Sequence, residues 1–459
     1  MTRAFAAVVA IIALPPQVIR GDDTIVRFCV RPAAAPKPAL KYQLLPTLRE
    51  LSPGNPAHGY LRCFAEQRQF FFSKEANADR ARYLSIPLAE LAAQKVPQYG
   101  GSALRQADWA ARLDAPDWQL TQRVQAEGMD TQASELGRLQ ILAAALQARF
   151  RIEVAGGHFD DAIRSAKTML ALARHLGDYP TEAANRLGII VAQSALGTLE
   201  EMVQQSNCPN LYWALTDLPC PLVDLRKGIQ GDCVLVESEL RQIRGDAPMT
   251  EEQLRATLTN LSGKLGFARE QAGQPPRNVR NELSKRAANS EAVNAAHNRL
   301  VTAGCPSDVV RKFPPLQVVL LDEKREYEAT RDETVKLLGL QAWELDLLHG
   351  SDETGSCAIG LFGQLLPRVS ESRRAQARLE QRIGLLRHVE ALRLYAANHA
   401  GQLPHDLSEL PVPVPSNPLT GKPFIYKLDG VVASLREGLP GHKEENGCSN
   451  VQYEVGIKP

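Results

Sequence analysis

Two stretches near the middle of the chain decide the fold: LGRLQILAAALQARF (residues 136–150) and FDDAIRSAKTMLALARHLG (residues 159–177). In each stretch, apolar residues recur every three or four positions, which places them on one face of an α-helix. The residues that define these faces are Leu139, Leu142, Leu146, Phe150, Phe159, Ile163, Ala166 and Leu170. Because both faces need burial, the spacing predicts two helices packed against each other.

The sequence also marks where these helices end. Gly156 and Gly157 end the first helix, because glycine adopts the backbone dihedrals of a C-terminal cap. Pro180 fits the first position of a third helix. From Leu187 to Leu199 this third helix is apolar or small on nearly every side, as expected of a helix buried among others. Residues 136–218 are therefore predicted to hold three or four closely packed helices.

The turn between the first two helices resembles that of a tetratricopeptide hairpin. Gly157, Phe159 and Ala162 stand at matching positions, whereas Phe150 stands where that repeat has a small residue. Nothing similar recurs about 34 residues further on, which is the period of such arrays. The sequence therefore favours a mainly α-helical fold, a multi-helix bundle with a tetratricopeptide-like hairpin at its centre, over a repeat array.

The N-terminus has the three-part layout of a secretory signal peptide. Arg3 supplies a positive charge, Ala4–Leu14 is an unbroken apolar run, and prolines 15 and 16 end that run. The run is shorter than the about 20 residues that a membrane-spanning helix needs. These features predict a signal peptide over residues 1–21 and export to the periplasm or cell envelope. The alternatives are an apolar helix or strand of the folded protein, or an anchor that is not cleaved.

Length and charge bound the remaining possibilities. A chain of 459 residues allows two or three domains of roughly 150 residues each. Lys and Arg number 53 against 52 Asp and Glu, so the broad basic excess of a general nucleic-acid binder is missing. We predict a helical domain over residues 22–366 and a C-terminal module over residues 367–459, made of a helix and a small antiparallel sheet.

The chain contains eight cysteines. None lies in a CxxC pair, which argues against a structural zinc site. In an exported protein an even number of cysteines permits disulfides, and the pairs Cys208–Cys220 and Cys305–Cys357 are two possibilities. A large helical core does not need such bridges, so several cysteines are expected to be buried thiols.

Aromatic residues cluster before the central helices. Residues 60–72 contain one tyrosine and four phenylalanines, a run that could be a partner surface but more often belongs to a core. Trp109 and Trp118 are predicted to anchor the packing of two further helices.

Two patterns lie beyond the central bundle. Gly228 and Gly231 are expected weak points in a helix over Leu222–Ile243. Residues 323–333 alternate in charge, the pattern of a solvated helix face.

One loop is rich in reactive side chains: HGSDETGSC, residues 349–357. It contains His, Ser, Asp, Glu and Cys. A nucleophile needs a base at hydrogen-bond distance, and that base usually comes from a distant segment. The sequence therefore favours a plain surface loop, and the alternative is a hydrolase-type enzyme that uses this loop or the C-terminal histidines.

The C-terminal module is predicted to contain a helix, a β-hairpin and a third strand. Two alternating runs, Pro423–Leu428 and Val431–Arg436, flank the dipeptide Asp429-Gly430. Asp-Gly between such runs favours a type I′ turn, in which both central residues have positive φ. Val451–Ile457 is the predicted third strand.

Near the N-terminus, Thr24–Val30 alternates enough to predict another short strand, and Ala39–Leu45 is its expected partner.

Two segments of the C-terminal module carry a family resemblance: ALRLYAANHAGQLP (residues 391–404) and NPLTGKPFIY (residues 417–426). They resemble the C-terminal module of uncharacterised exported proteins of planctomycete-type bacteria, and residues 170–225 are similar to the middle of the same family. The module also resembles the helix-then-hairpin head of type II secretion pseudopilins. A charged helix stands here in place of the pseudopilin assembly helix, so this resemblance implies a related small fold. Neither resemblance implies catalytic residues.

No residue is singled out by the sequence as catalytic, cofactor-binding or metal-binding. His388 and His399 lie eleven positions apart on one predicted helix, about 16 Å along its axis, so they cannot share an ion. His399 and His405 are a weak metal pair, and no cofactor is expected. The sequence thus favours an exported helical binding or scaffolding protein with an unidentified protein partner. It predicts no nucleic-acid ligand and no transmembrane helix after signal cleavage. A pseudopilin-like assembly subunit is a further alternative to the hydrolase.

Overall fold

The structure is a computed structural model that describes residues 24–94, 96, 98–131, 133–271, 275, 278–349, 360–436 and 451–458. It is mainly helical with a small β-sheet, as the sequence predicts. The sheet has four strands and is mixed, so the prediction of a purely antiparallel sheet is wrong, because the N-terminal strand joins it in parallel. The predicted signal peptide lies outside the described residues, and so does the reactive loop from residue 350 onward.

In the described residues, six α-helices precede the central bundle, and several of them pack against it. They are α1 (Pro56–Glu66), α2 (Arg68–Phe72), α3 (Lys74–Ser85), α4 (Leu88–Ala93), α5 (Gly101–Ala110) and α6 (Thr121–Glu127). The predicted core position of the aromatic run is confirmed for Tyr60, Phe64 and Phe71, which are buried. Trp118 is also buried, but Trp109 is 50% exposed, so its predicted role as a packing anchor is wrong.

The central bundle consists of α7 (Glu135–Ala155), α8 (Phe159–Gly177) and α9 (Glu182–Met202), which contact one another. The predicted burial of the two helix faces is confirmed, because Leu139, Leu146, Phe150, Ile163 and Leu170 are all at most 4% exposed. The third helix starts later than predicted. The Thr181 side chain accepts a hydrogen bond from the Ala184 amide at 3.4 Å and caps α9. Pro180 therefore precedes the helix.

Two helices follow α9: the short α10 (Tyr212–Thr216) and the longer α11 (Arg226–Leu240). The glycines of α11 are contact points, not weak points. A Cβ on Gly228 would lie 1.9 Å from Asn185 Oδ1, and one on Gly231 would lie 2.1 Å from the Pro180 carbonyl oxygen. The missing side chains therefore let α11 lie directly against the turn between α8 and α9.

A second apolar core forms further along the chain. Its helices are α12 (Glu251–Gln271), α13 (Val279–Ala288), α14 (Ser290–Thr302), α15 (Ser307–Val310) and α16 (Pro315–Val335). The solvated face predicted on α16 is wrong at Glu323, which is 2% exposed and accepts hydrogen bonds from Arg286 and the Leu361 amide. Charge alternation alone could not reveal this, because the partners come from elsewhere in the chain. Two more helices follow: α17 (Ala342–His349) and the long α18 (Val369–Asn398).

Four strands form one sheet in the order β1-β4-β3-β2. They are β1 (Thr24–Val30), β2 (Ile425–Asp429), β3 (Val432–Arg436) and β4 (Val451–Ile457). Strand β1 pairs in parallel with β4, from Thr24 opposite Val451 to Val30 opposite Ile457. The predicted pairing of β1 with Ala39–Leu45 is therefore wrong, since those residues form turns and irregular backbone. The other two pairs are antiparallel.

The hairpin is confirmed, but its turn is shifted by one residue. Asp429 pairs with Val432, so the central residues are Gly430 and Val431. Gly430 has φ +60°, whereas Val431 does not have positive φ. A positive φ at the first central residue alone is the pattern of a type II′ turn, which suits the β-branched valine better than type I′ would.

One buried cluster fastens the sheet to the bundle. The Arg382 guanidinium on α18 donates two hydrogen bonds to the Glu200 carboxylate on α9, at 2.6 and 2.7 Å. The Tyr453 hydroxyl on β4 donates to the same carboxylate. Burial alone would lower the pKa of Arg382, but Glu200 raises it, so the guanidinium keeps its charge in the interior.

The state of the cysteines tests the predicted disulfide pairs. Six cysteines of the described residues are free thiols, including Cys208, Cys220 and Cys305, so the suggested Cys208–Cys220 bridge is wrong and Cys305 is not half of a disulfide.

None of the helices in the described part of the chain combines the length and hydrophobicity needed to cross a bilayer.

The close contact at Gly231 leads to a stability prediction. We expect Gly231→Ala to lower the free energy of unfolding by about 1–3 kcal/mol, because the added methyl group overlaps backbone. The control is Gly263→Ala on the exposed side of α12, where a Cβ meets nothing within 4 Å. The control should gain about 0.5–1 kcal/mol from helix propensity. Urea unfolding followed by circular dichroism measures both, and equal shifts for the two variants would contradict the packing described.

Candidate functional site

A cleft of about 200 Å³ opens between the segment 41–50, Arg112 just beyond the end of α5, and one face of α8. Four cationic side chains line it: Lys41, Arg112, Arg164 and Lys167. Two carboxylates, Glu50 and Asp160, lie among them, and the remaining lining residues are Tyr42, Gln43 and Ile163. Four positive and two negative groups give the cleft an excess of two positive charges, in a chain whose total net charge is +1.

Helical geometry explains why α8 presents so many of these groups. Asp160, Ile163, Arg164 and Lys167 follow the spacing i, i+3, i+4 and i+7, so they share one face. Apart from Ile163, the buried apolar residues of the same helix do not line the cleft and pack in the bundle. The two-helix hairpin of α7 and α8 therefore contributes to the core and, through one face of α8, to the cleft.

Glu50 is held in place inside the cleft. Lys167 Nζ donates hydrogen bonds to both of its carboxylate oxygens, at 2.9 and 2.8 Å, and the Thr47 amide donates a third at 2.9 Å. Arg112 Nε lies 3.9 Å from the same carboxylate. Partial burial opposes ionisation of Glu50, but the hydrogen bonds from Lys167 and Thr47 outweigh it and lower the pKa. This arrangement shows how the cleft binds a carboxylate.

The other two cations, Arg164 and Lys41, make contacts that are more exposed to solvent. Arg164 pairs with Asp161 at 2.7 Å, but both side chains are about half exposed, so water screens this contact. Lys41 is exposed, and its ammonium lies 4.8 Å from the centre of the Tyr42 ring. Both side chains can therefore reach an anion that enters from solvent.

A buried polar network lies behind the cleft. Arg149 donates to both oxygens of Asp108, at 3.0 and 2.6 Å, and the Thr168 hydroxyl donates to the same group at 2.7 Å. Arg112 reaches this network through the Asp108 carbonyl oxygen. These bonds join α5, α7 and α8, and so fix the wall from which the cleft side chains project.

The network ends at Glu153, whose carboxylate accepts a hydrogen bond from the Ser165 hydroxyl. Burial raises the pKa of Glu153 to about 7, against the opposing effects of Arg149 and Ser165. Arg149 also donates to Ser165 at 2.9 Å, so the cation and the carboxyl share one hydroxyl. The Glu153 carboxyl therefore changes its charge near neutral pH, although it lies behind the cleft and does not line it.

The lining residues are mainly charged groups. The described residues that line the cleft include no histidine, cysteine or serine, so no serine–histidine or cysteine–histidine pair is formed there. Arginine and lysine beside a tyrosine favour recognition of carboxylates or other anions.

The histidines noted in the sequence do not form a site. His388 is buried, its Nδ1 lies 2.7 Å from the Gly384 carbonyl oxygen, and burial lowers its pKa to about 4. His399 stacks on Tyr395, with ring centres 3.8 Å apart, and His405 is exposed. Within the part of the chain that the structure describes, no three His, Cys, Asp or Glu side chains are placed to hold a metal ion. Of the reactive loop, only the backbone of His349 is described, as the end of α17.

Sequence reasoning did not find the cleft. Its residues come from three segments that are far apart in the chain, and only the spacing of charges along α8 could have pointed to it. No family model matches the chain, and no curated protein or solved structure is significantly similar to it. The cleft must therefore be interpreted from its own chemistry.

The raised pKa of Glu153 gives a pH prediction. Its folded-state pKa of about 7 lies above the ordinary value of 4.5, so folding favours the protonated form. The free energy of unfolding should fall as pH rises from 4.5 through 7, by about 3 kcal/mol at most. We expect Glu153→Gln to remove most of this fall.

The measurement is the urea midpoint across that pH range. Glu251→Gln serves as the control, because that carboxylate is 88% exposed and should leave the profile unchanged. A Glu153→Gln profile parallel to the wild-type profile would show that this carboxyl is not the group responsible.

Proposed function

We propose that this protein is exported and acts as a binding or scaffolding protein of the cell envelope. The observation that carries the binding role is the cationic cleft, which holds a carboxylate of its own chain between Lys167 and Arg112. Export is supported by the positively charged start and the apolar run of residues 4–14.

The size of the cleft favours a macromolecular partner. Pockets that enclose small molecules usually measure about 300–1,000 Å³, and this cleft has about 200 Å³. A space of this size receives one or two side chains of a larger partner. Its open, charged walls match the polar rim and charge complementarity of protein interfaces.

An enzymatic role has less support. Elsewhere in the described residues, buried ionisable groups serve packing: Glu200 with Arg382, and Glu390 with Arg393. His175 is similarly engaged, since its Nδ1 lies 3.0 Å from the Tyr60 hydroxyl. Groups that are paired in this way hold helices and strands together and are not available as a general base for a nucleophile.

Export can be tested through the apolar run. Replacing Ile11 and Ile12 with arginine should keep the chain in the cytosol, because charge in this run abolishes recognition as a signal peptide. The native chain should be found in the envelope fraction with a mature N-terminus near Gly21. Fractionation and mass-spectrometric mapping of the N-terminus give both readouts.

The matched control replaces Leu347 and Leu348 with arginine, which adds the same charge at side chains that are 76% and 64% exposed. This variant should be exported like the native chain. Recovery of the full-length native chain from the cytosol alone would overturn the proposed location.

A further inference from the structure

We propose that the cationic cleft binds an acidic segment of a protein partner in which carboxylate side chains alternate with apolar ones. This inference rests on the proposed binding function and names the chemistry of the partner. Its basis is a cleft in which cations outnumber carboxylates, together with two exposed leucines in or next to the segment 41–50 that forms one wall.

The charges define one half of the ligand. Lys167 already holds the Glu50 carboxylate, which shows the geometry that an incoming carboxylate would adopt. Lys41 and Arg164 lie on the exposed walls and add two more cations. Charge-assisted hydrogen bonds from such groups are about twice as strong as neutral ones. A ligand with at least two carboxylates therefore matches the cleft.

Apolar residues define the other half. Leu40, which precedes Lys41, is 57% exposed, and Leu48, two residues before Glu50, is 88% exposed. Side chains of this size cost free energy in water, and a partner that covers them gains about 1.5–3 kcal/mol for each one fully buried. Aliphatic side chains between the ligand's carboxylates would serve this purpose.

The same observations argue against a nucleic acid. A continuous phosphate backbone would meet the carboxylates of Glu50 and Asp160 within the cleft. Binding of this kind also depends on many phosphate contacts along a basic surface, whereas the chain as a whole is nearly neutral. A peptide can place its carboxylates only where the cations are.

Glu50 should act as an internal competitor. It belongs to a turn closed by hydrogen bonds from the Glu50 and Leu51 amides to the Thr47 carbonyl oxygen, at 2.9 and 3.1 Å. A ligand carboxylate must share or replace the bonds that Lys167 makes to it. Removing the charge of Glu50 therefore frees Lys167 for the ligand, while removing a cation weakens binding.

The test is fluorescence anisotropy of the full chain with a labelled peptide of alternating glutamate and leucine. A second peptide has glutamine in place of every glutamate, and single-stranded DNA and inorganic phosphate are added as competitors. We expect Arg164→Glu to weaken binding of the acidic peptide about tenfold or more, and Glu50→Gln to strengthen it several-fold. Binding should weaken as salt is added.

The control is Arg82→Glu. Arg82 pairs with Asp79 three residues away, and the two side chains are 50% and 53% exposed. Arg164 and Asp161 have the same spacing and exposures of 55% and 52%. Circular dichroism and urea unfolding confirm that each variant is folded, and Lys41→Glu, at another exposed position, repeats the test if Arg164→Glu does not fold.

Three results would overturn the inference: equal losses for Arg164→Glu and Arg82→Glu, equal binding of the glutamine peptide, or displacement of the acidic peptide by DNA or phosphate at equal concentration. Localisation is measured separately. If the chain is exported but does not bind the acidic peptide, only this inference is refuted. A cytosolic chain that binds the peptide refutes only the proposed location.

Discussion

Burial of α9 is the constraint on which the rest of the structure depends. Its apolar residues occupy almost its whole circumference, so α7, α8, α11 and α18 all contact it. Each fully buried leucine or isoleucine contributes about 1.5–3 kcal/mol. This gain is available only if the covering helices come close. Gly188 allows that approach, because a Cβ there would lie 2.7 Å from the Ala173 carbonyl oxygen. The small residues of the bundle are therefore as necessary as the large ones.

The polar interior follows from the same constraint. Where α9 carries a charge inward, at Glu200, the structure supplies Arg382 and Tyr453 to receive it. In the same way, the charge of Arg149 on α7 is received by Asp108 on α5. An uncompensated charge in such positions costs several kcal/mol. The polar contacts therefore determine which elements can lie beside one another, and the cleft inherits its rigid wall from them.

The sequence predicts what depends on local periodicity. Leu139, Leu146 and Leu170 show their helical spacing within a few residues, and the turn at Gly430 is marked by its neighbours. It does not predict contacts between distant segments. The partner of β1, the burial of Glu323 and the gathering of Lys41 with Lys167 all depend on tertiary packing. The exposure of Trp109 could not be predicted for the same reason, because a helical position alone does not say which face of the helix is covered.

The parallel pairing of β1 with β4 has a consequence for how the chain matures. Arg27 on β1 meets Glu454 on β4 across 427 residues of sequence. A ribosome adds about 5–20 residues per second, so β1 waits roughly 20–85 s before its neighbour is made. During that interval the hydrogen-bonding edge of β1 has no native partner strand. Chaperone engagement of the nascent chain would protect this edge, because the sheet cannot be completed before β4 has been made.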